Sequence, residues 1–152
     1  MKVTRRGGEV RVRLATAEVE LLSQALMEFE RASVVLAPGD PVYERLHPAA
    51  YDDPEAAAEF RDLIGDDADR ARVARLGQCR AELSGTTLKL ADESLERWLM
   101  TLNDLRLALG TGLGVTAEDD PEDPAFQADG GRLLYHWLTW FQDALVAAVL
   151  RT

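Results

Sequence analysis

Apolar side chains recur along this chain with two periods. Val10, Val12 and Leu14 alternate with Arg11 and Arg13, the two-residue repeat of a short strand with one buried face. Leu88 and Leu90 alternate with Lys89 in the same way, so segments 9–14 and 86–90 are expected to pair as a two-stranded ribbon. Elsewhere the spacing is three to four residues, the period of a helix with one apolar stripe. Val19, Leu22, Leu26 and Phe29 begin such a stripe and carry it toward Leu36, behind Thr16 as the expected N-cap, until Pro38 and Gly39 stop it.

Residues 38–54 hold four of the six prolines, which predicts a structured loop with at most a helical turn near 42–46. Pro54 suits the first position of a helix over 55–64 that turns Phe60, Leu63 and Ile64 inward and ends at Gly65. Asp66 and Asp67 open another helix through about Leu83, with Val73, Leu76, Cys79 and Leu83 on its inner side. Asp92 is the expected cap of the next, where Leu95, Trp98, Leu99, Leu102, Leu105 and Leu109 form the most regular stripe. Gly110, Gly112 and Gly114 dissolve that helix into an acidic loop over 115–130, expected to be flexible. A last helix, 131–150, points Leu134, Trp137, Leu138, Phe141, Leu145 and Val149 inward.

These elements predict a mainly α protein: a single domain over 1–152, a bundle of about five helices with a minor two-stranded β element, built on helices 92–110 and 131–150. Composition narrows the class further. Twenty-seven acidic against seventeen basic residues give a formal charge of −10, which repels a phosphate backbone on average and disfavours nucleic acid as a partner. Basic residues do cluster at the start, in Lys2, Arg5, Arg6, Arg11 and Arg13, and are read as balancing the acidic remainder. Cys79 is the one cysteine, so a disulfide-stabilised secreted protein is not indicated, and a cytoplasmic location is expected. His136, Gln142 and Asp143 interrupt the long apolar run near the C-terminus, which favours a core helix over a membrane span.

Candidate chemistry is sparse. The glycines of 110–114 follow a helix, whereas a phosphate-binding loop opens one. Glu44-Arg45-Leu46-His47 has the Glu-x-x-His spacing of di-iron bundles, but the second such motif they need is missing around His136. Pro121 and Pro124 break the acidic run at 118–123, which rules out an EF-hand loop. No nucleophile elbow occurs, and Cys79 falls on a core stripe. No metal or cofactor and no catalytic set is therefore assigned. The polar residues that stand out are Asn103, Asp104 and Arg106, which interrupt the most apolar helix, with Tyr51 and Arg61 as candidate companions across loop 38–54. A buried arginine there requires an acceptor. Trp140, off the main stripe, is the candidate surface anchor for a protein partner, and a homodimer is one form such a partner takes.

The segment Leu102-Asn103-Asp104-Leu105-Arg106-Leu107-Ala108-Leu109-Gly110-Thr111, preceded by Trp98 and followed by Leu113-Gly114, resembles an uncharacterised actinobacterial domain-of-unknown-function family. The segments 46–51 with Phe60-Arg61, and Trp137-Leu138-Thr139 with Gln142-Asp143, match it too. Where the family pattern places an arginine, this chain has Gly112. Genes of that family often lie beside the ClpS adaptor of the Clp protease, so the resemblance implies a link to regulated proteolysis. Together these readings favour a non-enzymatic protein-interaction module. The alternative is a small-molecule-binding protein or enzyme with a polar site between helix 92–110 and loop 38–54.

Overall fold

A computed structural model describes residues 1–48 and 52–151, apart from the side chains of Phe126 and Gln127. The chain runs β1 (Lys2–Arg6), β2 (Glu9–Arg13), α1 (Thr16–Ser33), α2 (Pro41–Leu46), α3 (Pro54–Glu82), β3 (Thr87–Leu90), α4 (Asp92–Leu113), the single turn α5 (Pro124–Gln127) and α6 (Gly130–Leu150). The mainly α expectation holds, but the sheet has three strands where two were expected. They lie in the order β1-β2-β3, both pairings antiparallel. The added strand is the basic N-terminal segment, which folds back on β2 through Gly7-Gly8, with Gly7 at φ +59°. A two-residue hairpin loop needs that conformation, and glycine adopts it without a Cβ clash.

Val10, Val12, Leu88 and Leu90 cover the helices from the sheet, each 2% exposed or less. Opposite them, Leu22, Leu26, Leu76, Trp98, Leu102, Leu138, Phe141 and Leu145 close one continuous core. Full burial of a Leu or Phe side chain contributes roughly 1.5–3 kcal/mol, so α4 and α6, antiparallel neighbours that supply most of the large members, are the energetic centre. By length and apolarity alone α6 would also serve to cross a membrane; here its Leu138, Phe141, Leu145 and Ala148 are buried in this core.

Several boundaries differ from the sequence reading. The caps of α1 and α4 are Ala15 and Ala91, one residue before the expected Thr16 and Asp92. Alanine has no side-chain acceptor, and the box is half made from the other side: Glu18 Oε1 accepts the Ala15 N–H at 2.8 Å and Ser94 Oγ the Ala91 N–H at 2.9 Å. Helix α1 ends at Ser33, short of Leu36, and leaves Val34 and Val35 exposed. Segments 55–64 and 66–83 are one continuous helix, α3, that passes through Gly65. Its first half turns Ala57 and Gly65 inward, so Phe60, Leu63 and Ile64 lie outward, with Leu63 80% exposed. The α3 stripe thus runs Gly65, Arg72, Leu76, Cys79, and Val73 stands beside it. Helix α4 likewise continues through Gly110 and Gly112 to Leu113, and closes on Gly114 in the left-handed conformation. In α6, Ala148 takes the buried place expected for Val149.

The acidic loop is a succession of turns. Asp119 Oδ2 accepts the Thr116 N–H, Asp120 caps Glu122 and Asp123 caps Ala125. Arg132 on α6 ties it down, with Asp119 at 3.2 Å and the Leu113 carbonyl at 3.0 Å.

Candidate functional site

The polar residues of α4 do not form one cluster. Successive residues on a helix project about 100° apart, so Asn103 and Asp104 face different neighbours. Asn103 Oδ1 accepts from Arg106 at 3.4 Å and from Gln142 of α6 at 3.5 Å. Asp104 instead faces α3, with Arg75 Nη2 at 3.2 Å and Arg72 Nε at 3.8 Å. Arg61 joins neither group and reaches Glu44 of α2 at 3.4 Å. Tyr51 lies outside the described residues. Trp140 stands on the outer surface of α6, 48% exposed.

The most connected polar group lies where α2, α3 and α4 meet, and the sequence reading missed most of it. Arg72, 6% exposed, donates to Asp69 Oδ1 at 2.9 Å and lies between Asp69 and Asp104. The same Asp69 oxygen is 2.6 Å from His47 Nε2. His47 Nδ1 is 2.8 Å from the Tyr43 carbonyl, which can only accept, so this nitrogen donates. Both imidazole nitrogens are thus engaged, Nδ1 by the Tyr43 carbonyl and Nε2 by the Asp69 carboxylate. Tyr43 stacks on His47 with ring centroids 3.9 Å apart. Burial, helped by the negative charge of Asp69, holds the Tyr43 hydroxyl above its usual pKa. Arg72 occupied a core-stripe position one turn before Leu76, and that was the available signal.

Beside this network a cavity of about 180 Å³ opens between α2 and α3, lined mainly by Leu46, Ala57, Phe60 and Ile64, with His47 and Arg61 at its edge. Both histidine nitrogens point to acceptors already present, so the ring offers no free base to a molecule in the cavity. Two tryptophans carry further polar contacts between elements. Trp98 Nε1 donates to Glu82 at 2.7 Å, and Trp137 Nε1 to Glu18 at 2.9 Å. Arg5, from β1, caps the end of α6 through the carbonyls of Ala148 (3.1 Å) and Val149 (2.6 Å). Cys79 is fully buried, its thiol 3.4 Å from Thr101 Oγ1. Among the described residues no three His, Cys, Asp or Glu side chains converge as metal ligands.

The fold and its contacts thus define a helical domain with a small sheet on one side and ion pairs between its helices. Residues 1–149 match the profile of the family described as Domain of unknown function (DUF2017), and the chain belongs to that family. It is 33% identical over 114 residues to the putative oxidative stress regulator AosR of Mycobacterium leprae, a match covering 72% of this chain and 52% of that protein. It is 30% identical over 131 residues to the oxidative stress regulator AosR of Mycobacterium tuberculosis, covering 74% and 60% respectively. The chain therefore spans between half and two thirds of the length of these relatives. No solved structure matches it.

Proposed function

We propose that this chain is a non-enzymatic regulatory module that acts in the cytoplasm through contact with another protein. The observation that carries this reading is that the polar side chains between the helices are paired with one another. Asp104 is held by Arg72 and Arg75, Asn103 by Arg106 and Gln142, Arg61 by Glu44, and His47 by Asp69. A catalytic or ligand site needs polar groups that converge on open space. What the surface leaves open includes Trp140, the residue type that most often anchors protein contacts. The names of the mycobacterial relatives support a part in the response to oxidative stress. The narrower reading, an accessory role in Clp-dependent proteolysis, is supported by the family resemblance alone.

Deleting the gene in its own host and following the transcript response to peroxide tests the regulatory reading. A response that shifts on deletion and is restored by the wild-type chain is the expected result; an unaltered response overturns it. A second reading, small-molecule binding, is favoured by the cavity between α2 and α3. At about 180 Å³ it lies below the usual size of drug-sized sites, roughly 300–1,000 Å³. A thermal-shift screen of small apolar carboxylates decides it, because a ligand there pairs with Arg61 and raises the melting temperature with the logarithm of its concentration above Kd; no shift for any of them overturns this reading.

A further inference from the structure

The outer face of the sheet carries an excess of positive charge that its one carboxylate, Glu9, opposite Arg6 in the register, only partly balances. Residues 2, 4 and 6 of β1, 9, 11 and 13 of β2, and 87 and 89 of β3 point away from the core. Five of these eight are Lys2, Arg6, Arg11, Arg13 and Lys89. Arg11 is paired with Glu9 at 2.6 Å, whereas Lys2, Arg6, Arg13 and Lys89 reach no carboxylate among the described residues. The register sets Lys2 opposite Arg13 and Arg11 opposite Lys89. Like charges directly opposite one another destabilise a ladder, and a chain with 27 acidic residues has ample means to avoid them. Lysines on edge strands do discourage edge-to-edge pairing. Arg11 and Arg13, however, stand on the central strand, which has no free edge. Five cations against Glu9 give this face a net +4, so the remaining residues carry −14 of the formal −10.

We propose that this face is the docking surface for a short, extended, acidic segment of a partner protein, an inference that rests on reading the chain as an interaction module. The dimensions favour that occupant. Strands about 4.8 Å apart, with alternate residues about 6.7 Å apart along each, make a cationic grid of roughly 10 by 13 Å. An extended segment with a carboxylate at every second residue repeats at the same spacing. A nucleic acid would overrun the grid and meet the acidic remainder, and the face has no aromatic side chain on which a base would stack. The stability lost to opposed cations is recovered only when an anion lies across them.

Fluorescence anisotropy with a labelled hexapeptide alternating glutamate and threonine tests this, with the glutamine-threonine peptide and mixed-sequence single-stranded and duplex DNA as comparators. The glutamate peptide is expected to bind, the glutamine peptide not, and added salt to weaken the complex. The double variant Arg13→Thr, Lys89→Thr is expected to bind about tenfold more weakly. It should melt no earlier than the parent, because each change removes one member of a like-charged pair and keeps a good strand former. Equal affinity of parent and variant for the peptide, or no binding at low salt, overturns the proposal. Tighter binding of DNA than of peptide would make the occupant a nucleic acid. Self-association lost in the variant and not competed by the peptide would make it a second copy, and either result overturns the acidic segment. The peroxide response of the deletion strain is independent of this face, so the regulatory reading can survive its failure and the reverse.

Discussion

Three donors meet at Glu18. Its Oε1 accepts the Ala15 N–H at 2.8 Å and lies 3.0 Å from the α-amino group of Met1; its Oε2 accepts the indole N–H of Trp137 at 2.9 Å. Burial alone would push the carboxyl upward, but these donors outweigh it and hold the pKa below the ordinary glutamate value. A carboxyl depressed on folding contributes stability above its unfolded pKa and loses it as the pH falls through the folded one. Glu18→Gln should therefore cost about 1–2 kcal/mol at neutral pH. Urea midpoints measured from neutral pH down into the carboxylate range should show that cost shrinking toward zero in acid; a difference that stays constant would mean that packing, not charge, sets it. Cys79 is the opposite case. Burial lifts its thiol to about 11, against the pull of Thr101 in the other direction, so at neutral pH almost none is thiolate. Iodoacetamide followed by mass spectrometry should label it slowly in the folded protein and rapidly in denaturant, which makes it a poor candidate for a peroxide-sensing group.

At the level of elements, strict periods were legible and glycines were not. Strands β2 and β3 and helices α4 and α6 followed from alternation or from heavy apolar stripes, whose side chains have one place to go. Gly65 and Gly110 read as helix ends because glycine costs a helix about 1 kcal/mol relative to alanine. Both helices nevertheless continue through them. A Cβ at Gly65 would lie 3.7 Å from Cγ of Arg61 and 3.8 Å from the Tyr43 hydroxyl, ordinary contacts, so no clash accounts for glycine there and the turns on either side carry α3 across it. At Gly110 a Cβ would stand 2.7 Å from Cε2 of Tyr135, nearer than van der Waals contact allows. Gly110→Ala should thus lose roughly 1–3 kcal/mol to overpacking against a propensity gain of about 1, for a net loss in chemical denaturation. In a Tyr135→Leu background the clash is gone and the same substitution should stabilise. A loss of equal size in both backgrounds would place the strain elsewhere in α4. The spacing of Phe60, Leu63 and Ile64 suits a stripe, but Ala57 and Gly65 take the inner side of α3, which leaves Leu63 in solvent and Phe60 and Ile64 half-exposed along the cavity between α2 and α3.

Across the whole molecule, the polar network was illegible because its members are far apart in sequence. His47, Asp69, Arg72 and Asp104 come from the end of α2, from α3 and from α4, and only the packing of those helices brings them together. Asn103, Asp104 and Arg106 looked like one cluster because they are adjacent in the chain, and the helix splits them between α3 and α6. Arg72 is the hinge of this arrangement, since it neutralises two carboxylates on its own and on a neighbouring helix, and one of those also holds His47. Removing one partner of a buried pair leaves the other charge uncompensated, whereas replacing all of them with apolar groups is often neutral. Arg72→Ala should accordingly cost about 2–4 kcal/mol, less than for a fully enclosed pair because the Asp69 side chain is 33% exposed. Adding Asp104→Leu to Arg72→Met should recover part of that loss, because the double change leaves Asp69 with His47 and fills the α3–α4 seam with hydrocarbon, while Arg75, 22% exposed, gives up its carboxylate and turns to solvent. Urea denaturation of the single and double variants measures both effects. Strictly additive losses would show that Arg72 and Asp104 act independently, and that van der Waals packing rather than this ion pair sets the register of α3 on α4.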